Sequence, residues 1–345
     1  MRVTGQVMVF APAPELTITI EQAGDDTHIH LHAGGQGIWQ ARMIATLGVP
    51  VALCTAFGGE TGRVLEPLTA AEGVWLRTVT SGGRSAAYVH DRRDGERVEL
   101  ARSPAEPMPR HELDELYGLA LTEGLRATVS VLSGTRDPHV IEPDVYRRLA
   151  GDLRRNDGLV VADLTGDYLD AVLESGLDFL KVSHEELVES GRAPDDSQEA
   201  LVKALRELHE EGAQTVAVSR AEKPALVYLD GEIHEVRLPS LEPADHRGAG
   251  DSMTAGVAAT MAQGGDMRTA IRIGGAAGAV NVTRHGLGTG RASVISKLME
   301  EVELVPLSQQ QTRKASSAAR NDGAGRAARK RGAGAAGKQE AGRSA

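Results

Sequence analysis

Aromatic side chains are scarce in this chain: two Trp, five Tyr and three Phe make up 3% of its 345 residues. Its core must therefore be filled by Val, Leu, Ile and Ala, for which a hydrophobic content of 41% is sufficient. Cysteine occurs once, as Cys54. That excludes an intrachain disulfide and fits a reducing compartment. Set in Val-Ala-Leu-Cys-Thr-Ala-Phe, Cys54 reads as a buried small hydrophobe rather than a nucleophile. No apolar run reaches the roughly 18 residues of a membrane span. No basic stretch followed by an apolar core opens the sequence. These absences predict a cytoplasmic protein that has no membrane partner.

Charge is present but uneven. The net charge is −10, yet residues 312–345 hold nine Lys or Arg against two acids, a net +7 that leaves −17 on the rest. That Ala-, Gly- and Ser-rich tail shows no apolar periodicity, so disorder is expected over 306–345. A solvated tail without a specific role, and a weak contact with nucleic acid or with the acidic body, are both open. The acidic body itself argues against a nucleic-acid-binding fold.

Between residues 1 and 305, short apolar strands alternate with amphipathic helices. Strands are expected at 6–10, 51–57, 128–132, 159–162, 179–181 and 215–219, with a hairpin at 226–236 around Asp230-Gly231. Helices are expected from about Gly37 to Leu47, at 63–72, 143–155, 168–174 and 197–211, and then at 250–262, 267–283 and 293–301. Such alternation predicts an α/β fold, a mostly parallel central sheet with helices on both faces. Segments near 14–32 and 84–101 alternate polar and apolar residues instead, as a half-exposed sheet does, and predict a small β lid. His28, His30 and His32 share one face of it. They read as lid-surface histidines rather than a zinc cluster, which needs ligands in three dimensions.

The stretch Asp245-His-Arg-Gly-Ala-Gly-Asp251-Ser-Met-Thr carries the chemistry. Gly248, Ala249 and Gly250 open a helix, and a helix start offers unpaired N–H groups and partial positive charge to an anion. Glycine at 248 and 250 allows close approach and positive φ. Asp251 inside that anion hole is placed to take a proton from a hydroxyl that attacks a phosphate. Ligands of such sheets lie beyond the carboxyl ends of the strands, so the Gly34–Gly37, Ser133-Gly134 and Gly248–Asp251 turns are expected to share one cleft.

These motifs, in this order, resemble the ribokinase/PfkB carbohydrate kinases, and most of all the 1-phosphofructokinase and tagatose-6-phosphate kinase branch. Gly34-Gly35-Gln36-Gly37-Ile-Trp39-Gln-Ala41 is similar to the N-terminal signature, and Phe57-Gly-Gly-Glu-Thr-Gly62 to the segment after it. Leu132-Ser133-Gly134-Thr135 and Lys181-Val-Ser183-His-Glu-Glu186-Leu187 match the middle of the pattern, and Gly248–Ser252 the C-terminal signature. The resemblance implies a ribokinase-like three-layer fold over 1–305 and transfer of the ATP γ-phosphate to a hydroxyl of a sugar or sugar phosphate. It makes Asp251 the base and the 248–250 amides the anion hole. Glu186 would help hold Mg²⁺. Arg84 would contact a substrate phosphate. Glu15, Gly34, Gly35, Gln36, Trp39 and Ser133 would line the substrate site. ATP would lie along Ser219, Ala221, Gly248, Gly250 and Asn281. The lid often serves such kinases as a dimer surface, so a homodimer is expected.

The chain departs from the pattern at five places. Gln36 stands for Lys, Trp39 for Asn and Ser183 for Asn, and Ala11-Pro-Ala-Pro-Glu15 stands for Asn-Pro-Ala-x-Asp. Ser219-Arg-Ala221-Glu-Lys-Pro224 stands for Ser-x-Gly-x-x-Gly, and Pro224 has no N–H to offer. All five fall on ligand-binding parts, so a ligand-binding or regulatory protein on a kinase scaffold is the alternative reading.

Overall fold

The computed structural model describes residues 5–239, 241–242, 247–284 and 286–307. Asp245, His246 and the basic tail lie outside the described residues. The chain opens with β1 (Val7–Ala11) and the hairpin β2 (Glu15–Ala23) and β3 (Asp26–Gly34), followed by α1 (Gln36–Thr46), β4 (Val51–Gly58), α2 (Gly59–Ala70) and β5 (Trp75–Ser81). A second hairpin, β6 (Ala86–Asp91) and β7 (Val98–Ser103), precedes α3 (Arg110–Arg126). The regular βα part runs β8 (Val129–Ser133), α4 (Pro143–Arg155), β9 (Leu159–Asp163), α5 (Gly166–Leu173), β10 (Leu177–Ser183), α6 (His184–Glu189), α7 (Gln198–Glu210) and β11 (Ala213–Arg220). β12 (Lys223–Leu229), β13 (Glu232–Arg237), α8 (Ala249–Ala262), α9 (Met267–Val282), α10 (Ala292–Met299) and β14 (Glu303–Pro306) complete it.

Ten strands form the central sheet in the order β14-β13-β12-β11-β10-β9-β8-β1-β4-β5. From β11 to β5 every pairing is parallel; β12, β13 and β14 extend that edge antiparallel. The parallel strands are apolar on both faces because each face is covered. Met8 and Phe10 of β1 pack with Leu116, Leu149, Leu169 and Leu205 of α3, α4, α5 and α7. Val7 and Val9 point the other way, into a cluster with Ile38, Leu65, Val257, Ile271 and Ile295 of α1, α2, α8, α9 and α10. This is the three-layer arrangement expected. Cys54 is buried in β4 and its thiol is pushed up to about 12 by burial, which makes it unreactive at neutral pH.

The two hairpins join through parallel β2 and β6 into a separate four-stranded sheet, β3-β2-β6-β7. Its inner face is polar: Glu15, Thr17, Thr19 and His90 are buried there, and Thr19 Oγ1 lies 3.1 Å from His90 Nε2. Strand register puts Ile18, Ile20, Ile29, Leu31 and Val98 on the opposite face, where Ile29 is 63% and Val98 55% exposed. Among the described residues, no helix is long and apolar enough to cross a membrane.

Candidate active site

Glu15, Ser133, Asp163, Ser183 and Arg220 lie at or beside the carboxyl ends of parallel strands or the lid strand that follows β1, on one rim of the sheet. Two cavities open along that rim. The larger, about 610 Å³, has a lining that includes Glu15, Gly35, Gln36, Trp39, Asp163 and Glu186, and also Tyr88, Arg97, Glu99, Arg136, Tyr168 and Arg247. Three of the ten aromatic residues thus face one space. The second, about 550 Å³, is mostly apolar, and its lining includes Ser219, Ala221, Pro224, Leu238, Ala249, Gly250 and Met253.

The start of α8 serves both cavities. Ala249 and Gly250 line the second, and Arg247 the first. Gly248 is the N-cap at φ 72°, a left-handed conformation that glycine adopts without strain, and among the described residues no side chain caps the helix. Amides at such a helix start suit an anion. Gly250 is needed for another reason than expected. It is helical, not left-handed, and a Cβ there would lie 2.5 Å from Lys181 Nζ. The close approach of an ammonium, not a positive φ, fixes glycine at 250.

Lys181 links this turn to a buried network. Its Nζ lies 3.4 Å from Asp163 Oδ1, while Asp163 Oδ2 accepts from Gln40 Nε2 and Thr254 Oγ1, each at 3.1 Å. Asp163, Glu186 and Asp251 share one neighbourhood, with Lys181 as the cation acting on it. Burial above all, then the Asp163 charge, push the Asp251 carboxyl up to about 8, with Lys181 opposing the shift. Burial likewise raises the Asp163 carboxyl, while its charged neighbours outweigh burial and raise the Lys181 ammonium.

Several expected contacts find a different use. Ser133 is fully buried, and its hydroxyl donates to Gln40 Oε1 at 2.5 Å, so it lies beneath the first cavity rather than in its wall. Asn281 is also buried. Its amide donates to Arg247 O at 2.6 Å and accepts from Gly288 N at 2.8 Å, which clamps the loop before α8 instead of lining the second cavity. Arg84 stands apart from the large cavity, 3.2 Å from Glu106 and packed on Gly59. Gln36 accepts from Gly134 N at 2.6 Å, which an ammonium at this position has no lone pair to do. Gly34 is buried where a Cβ would meet Thr17 Oγ1 at 2.6 Å, and Gly35 is the N-cap of α1 at φ 99°.

Ser183 caps α6. Its Oγ accepts from Glu186 N at 3.1 Å, and Glu186 Oε2 accepts from Ser183 N at 2.6 Å. Serine and asparagine are equivalent N-caps, so this departure leaves the local fold intact. Ala221 keeps a left-handed φ of 49° in the two-residue turn between β11 and β12, the conformation a glycine would hold more cheaply.

The profile described as pfkB family carbohydrate kinase matches residues 3–293. The chain belongs to the pfkB family of carbohydrate kinases. Among relatives of this family member, ATP-dependent 6-phosphofructokinase isozyme 2 of Mycobacterium tuberculosis is 28% identical over 273 residues, 77% of this chain and 79% of that one. The 1-phosphofructokinase of Bacillus subtilis is 26% identical over 278 residues, 80% and 89% of the two chains. In solved structures, Escherichia coli phosphofructokinase-2 superposes with a TM-score of 0.75 at 23% identity, covering 86% of this chain and 98% of that one. Arabidopsis thaliana ribokinase gives 0.68 at 20% identity, covering 86% and 99%. At these identities the superpositions establish the ribokinase-like fold.

The residues not anticipated as site members are Asp163, Lys181, Arg97, Arg136 and Tyr88. Asp163 ends a parallel strand, which was a usable signal. The others are brought to the site by strand pairing (Lys181), by the lid (Tyr88, Arg97) and by the loop after β8 (Arg136).

Proposed function

We propose that this carbohydrate kinase moves the γ-phosphate of ATP to a hydroxyl of a sugar or sugar phosphate, with Asp251 as the base and the Gly248, Ala249 and Gly250 amides as the anion hole. The observation that carries the reading is a single helix start, without a side-chain cap among the described residues, that contributes to two cavities of different character. The apolar one, beneath Leu238 and Met253, suits a nucleotide base, with its phosphates directed to the α8 amides. The polar one, with Glu15 buried at its wall, suits a polyol. An acceptor hydroxyl gives its proton to Asp251 and forms the new O–P bond. The bond from the γ-phosphorus to the bridging oxygen breaks, and ADP leaves.

Among the described residues no three metal-ligating side chains gather as a cage. The donor chemistry fits a hydrated Mg²⁺ all the same, since that ion keeps several waters and takes one or two carboxylates together with phosphates. Glu186 would hold it, in the neighbourhood it shares with Asp163 and Asp251. When bound, the ion neutralises charge on the phosphates.

The reading is tested by incubating the chain with ATP, Mg²⁺ and a panel of sugars and sugar phosphates, and following product by phosphorus NMR. A new phosphate ester is expected for at least one acceptor. Its absence across the panel would overturn the proposal.

The lid supports a homodimer. Its polar face is turned to the cavity, which leaves Ile29, Leu31 and Val98 as an apolar outer face. Sedimentation velocity should show a dimer that Ile29→Lys with Val98→Lys converts to monomer; a monomeric parent chain rejects it.

A further inference from the structure

A third cavity, about 500 Å³, opens beside the first, and neither Asp163 nor Glu186 is in its wall. It lies between the loop that follows β8 and the loop that follows β9, against the segment that leads into α3. Met108, Leu113, Val140 and Ile141 give it an apolar floor. The loop above that floor is pinned in place rather than collapsed onto it. Asp137 Oδ2 accepts from Ala105 N at 2.8 Å, Met108 N donates to Val140 O at 3.1 Å, and the Tyr168 hydroxyl donates to Ile141 O at 3.0 Å. Between these anchors His139 holds a φ of 76°, a left-handed conformation that is costly for a residue with a Cβ. A strained residue between fixed points marks a loop whose shape its surroundings impose. The hollow beneath it is thus preformed and of the size that small molecules occupy.

The mouth of this cavity carries Glu142 and Asp167, both exposed, together with the His139 imidazole and the Thr165 hydroxyl. Arg136 is also in its wall but is engaged on the other side, with Cζ 5.7 Å from the centre of the Tyr88 ring and Nη2 3.0 Å from Glu99, both in the first cavity. We propose that the third cavity is an effector site for a small ring compound without negative charge, distinct from the two cavities assigned to ATP and the acceptor. The ring packs on Met108, Leu113 and Ile141, and its polar edge faces the mouth. Apolar walls favour the ring, and the two carboxylates repel an anion. Thr135, Arg136, Thr165 and Tyr168 line the first cavity as well as the third. A ligand that braces the 135–142 loop therefore fixes one wall of the acceptor cavity, and so favours one arrangement of it. The site uses neither Asp251 nor the α8 turn, so it goes beyond the kinase reading and does not depend on it.

Indole-3-ethanol, indole-3-ethylamine and indole-3-acetate share one ring and differ in charge, so they test both parts of the proposal. Calorimetric titration into the full chain, with no nucleotide or sugar present, should show saturable binding of the first two. The acetate should bind about 5-fold or more weakly, as repulsion between like charges in water predicts. Bound indole-3-ethanol should raise Tm by mass action and slow amide hydrogen exchange over residues 107–113, 134–142 and 164–168. Leu113→Trp fills the floor, and Pro138→Trp fills the cavity from its exposed mouth, where the fold is not at stake. Each should abolish saturation, with the Tm of unliganded Pro138→Trp close to that of the parent. No saturable binding, binding that survives Pro138→Trp, an acetate as tight as the alcohol, or slowed exchange confined to other segments would overturn the site. Slowed exchange that stops short of 134–136 and 165–168 would overturn its link to the acceptor cavity. Failed phosphoryl transfer alongside intact, Pro138→Trp-sensitive binding would reject the kinase reading and leave this one standing.

Discussion

Asp251→Asn is expected to lower kcat by about 10²–10⁴-fold, the contribution of a positioned general base, while making the folded protein more stable. Both effects come from one environment. The Asp251 carboxyl holds its proton to about 8 because burial, Asp163 and Glu186 disfavour its charge more than Lys181 favours it. An unfolded chain ionises the same group near 4. A raised folded value means that its stabilising contribution is complete below pH 4, declines as pH rises, and is spent above about 8. Asparagine is neutral at every pH, so the variant should gain on the parent between pH 4 and 8 and keep that lead beyond. Calorimetric melting at pH 4.5, 6.5 and 8.5 reads it directly. A gap in Tm that fails to widen with pH refutes the electrostatic account, and near-normal turnover refutes the role as base. The parent enzyme should also show, at limiting substrate, a rate that rises with pH up to about 8, as a base held protonated requires. Bound cations at Glu186 would move that limb to lower pH. A site that destabilises its own fold in order to hold a reactive carboxyl is a common stability–activity compromise.

Much of this architecture is legible in the amino-acid sequence. The βα rhythm, the lid segments and the α8 turn follow from apolar periodicity and glycine placement, and the structure places them within a few residues. Four elements escape that reading: α6 (His184–Glu189), β14 (Glu303–Pro306), β5 and α3. β5 (Trp75–Ser81) lies at the sheet edge and mixes Trp, Arg and Thr without alternation. α3 (Arg110–Arg126) does carry a signal, Leu113, Leu116, Tyr117 and Ala120 at helical spacing, but its many charges mask it. The site is harder. Asp163 and Lys181 meet because β9 and β10 are parallel neighbours in direct register, Lys181 opposite Asp163, and pairing register is invisible in one sequence. By residue type and position, Gln36, Ser183 and Asn281 look as if they should touch a ligand. In the structure Gln36 lines the first cavity while also latching Gly134, and Ser183 and Asn281 serve as a helix cap and a loop clamp. Residue identity shows what a side chain can donate or accept; only the fold shows which partner takes it.

Lys181→Met should be the most destabilising single change at the site. The ammonium is buried under Gly250 and is the cation beside Asp163, whose other oxygen is held by Gln40 and Thr254. Breaking a buried ion pair by removing one partner costs about 3–5 kcal/mol, because the remaining charge is stranded in low dielectric. The cost should depend on pH. Burial already raises the Asp163 carboxyl, and Lys181 is the largest influence opposing the rise, so without it the carboxyl binds a proton more readily still. A group whose folded value is raised stabilises fully below its unfolded value and loses that contribution as pH climbs. Lys181→Met should therefore approach the parent near pH 4.5 and fall furthest behind near pH 8.5. Adding Asp163→Asn removes the stranded charge and should recover much of the loss at high pH without restoring turnover, since the α8 turn would still lack its ammonium. Urea unfolding of the parent, both single variants and the double variant completes the cycle. A loss from Lys181→Met that is equal at pH 4.5 and 8.5, or unrelieved by Asp163→Asn, would mean that packing under Gly250, rather than the balance of charge, holds this turn in place.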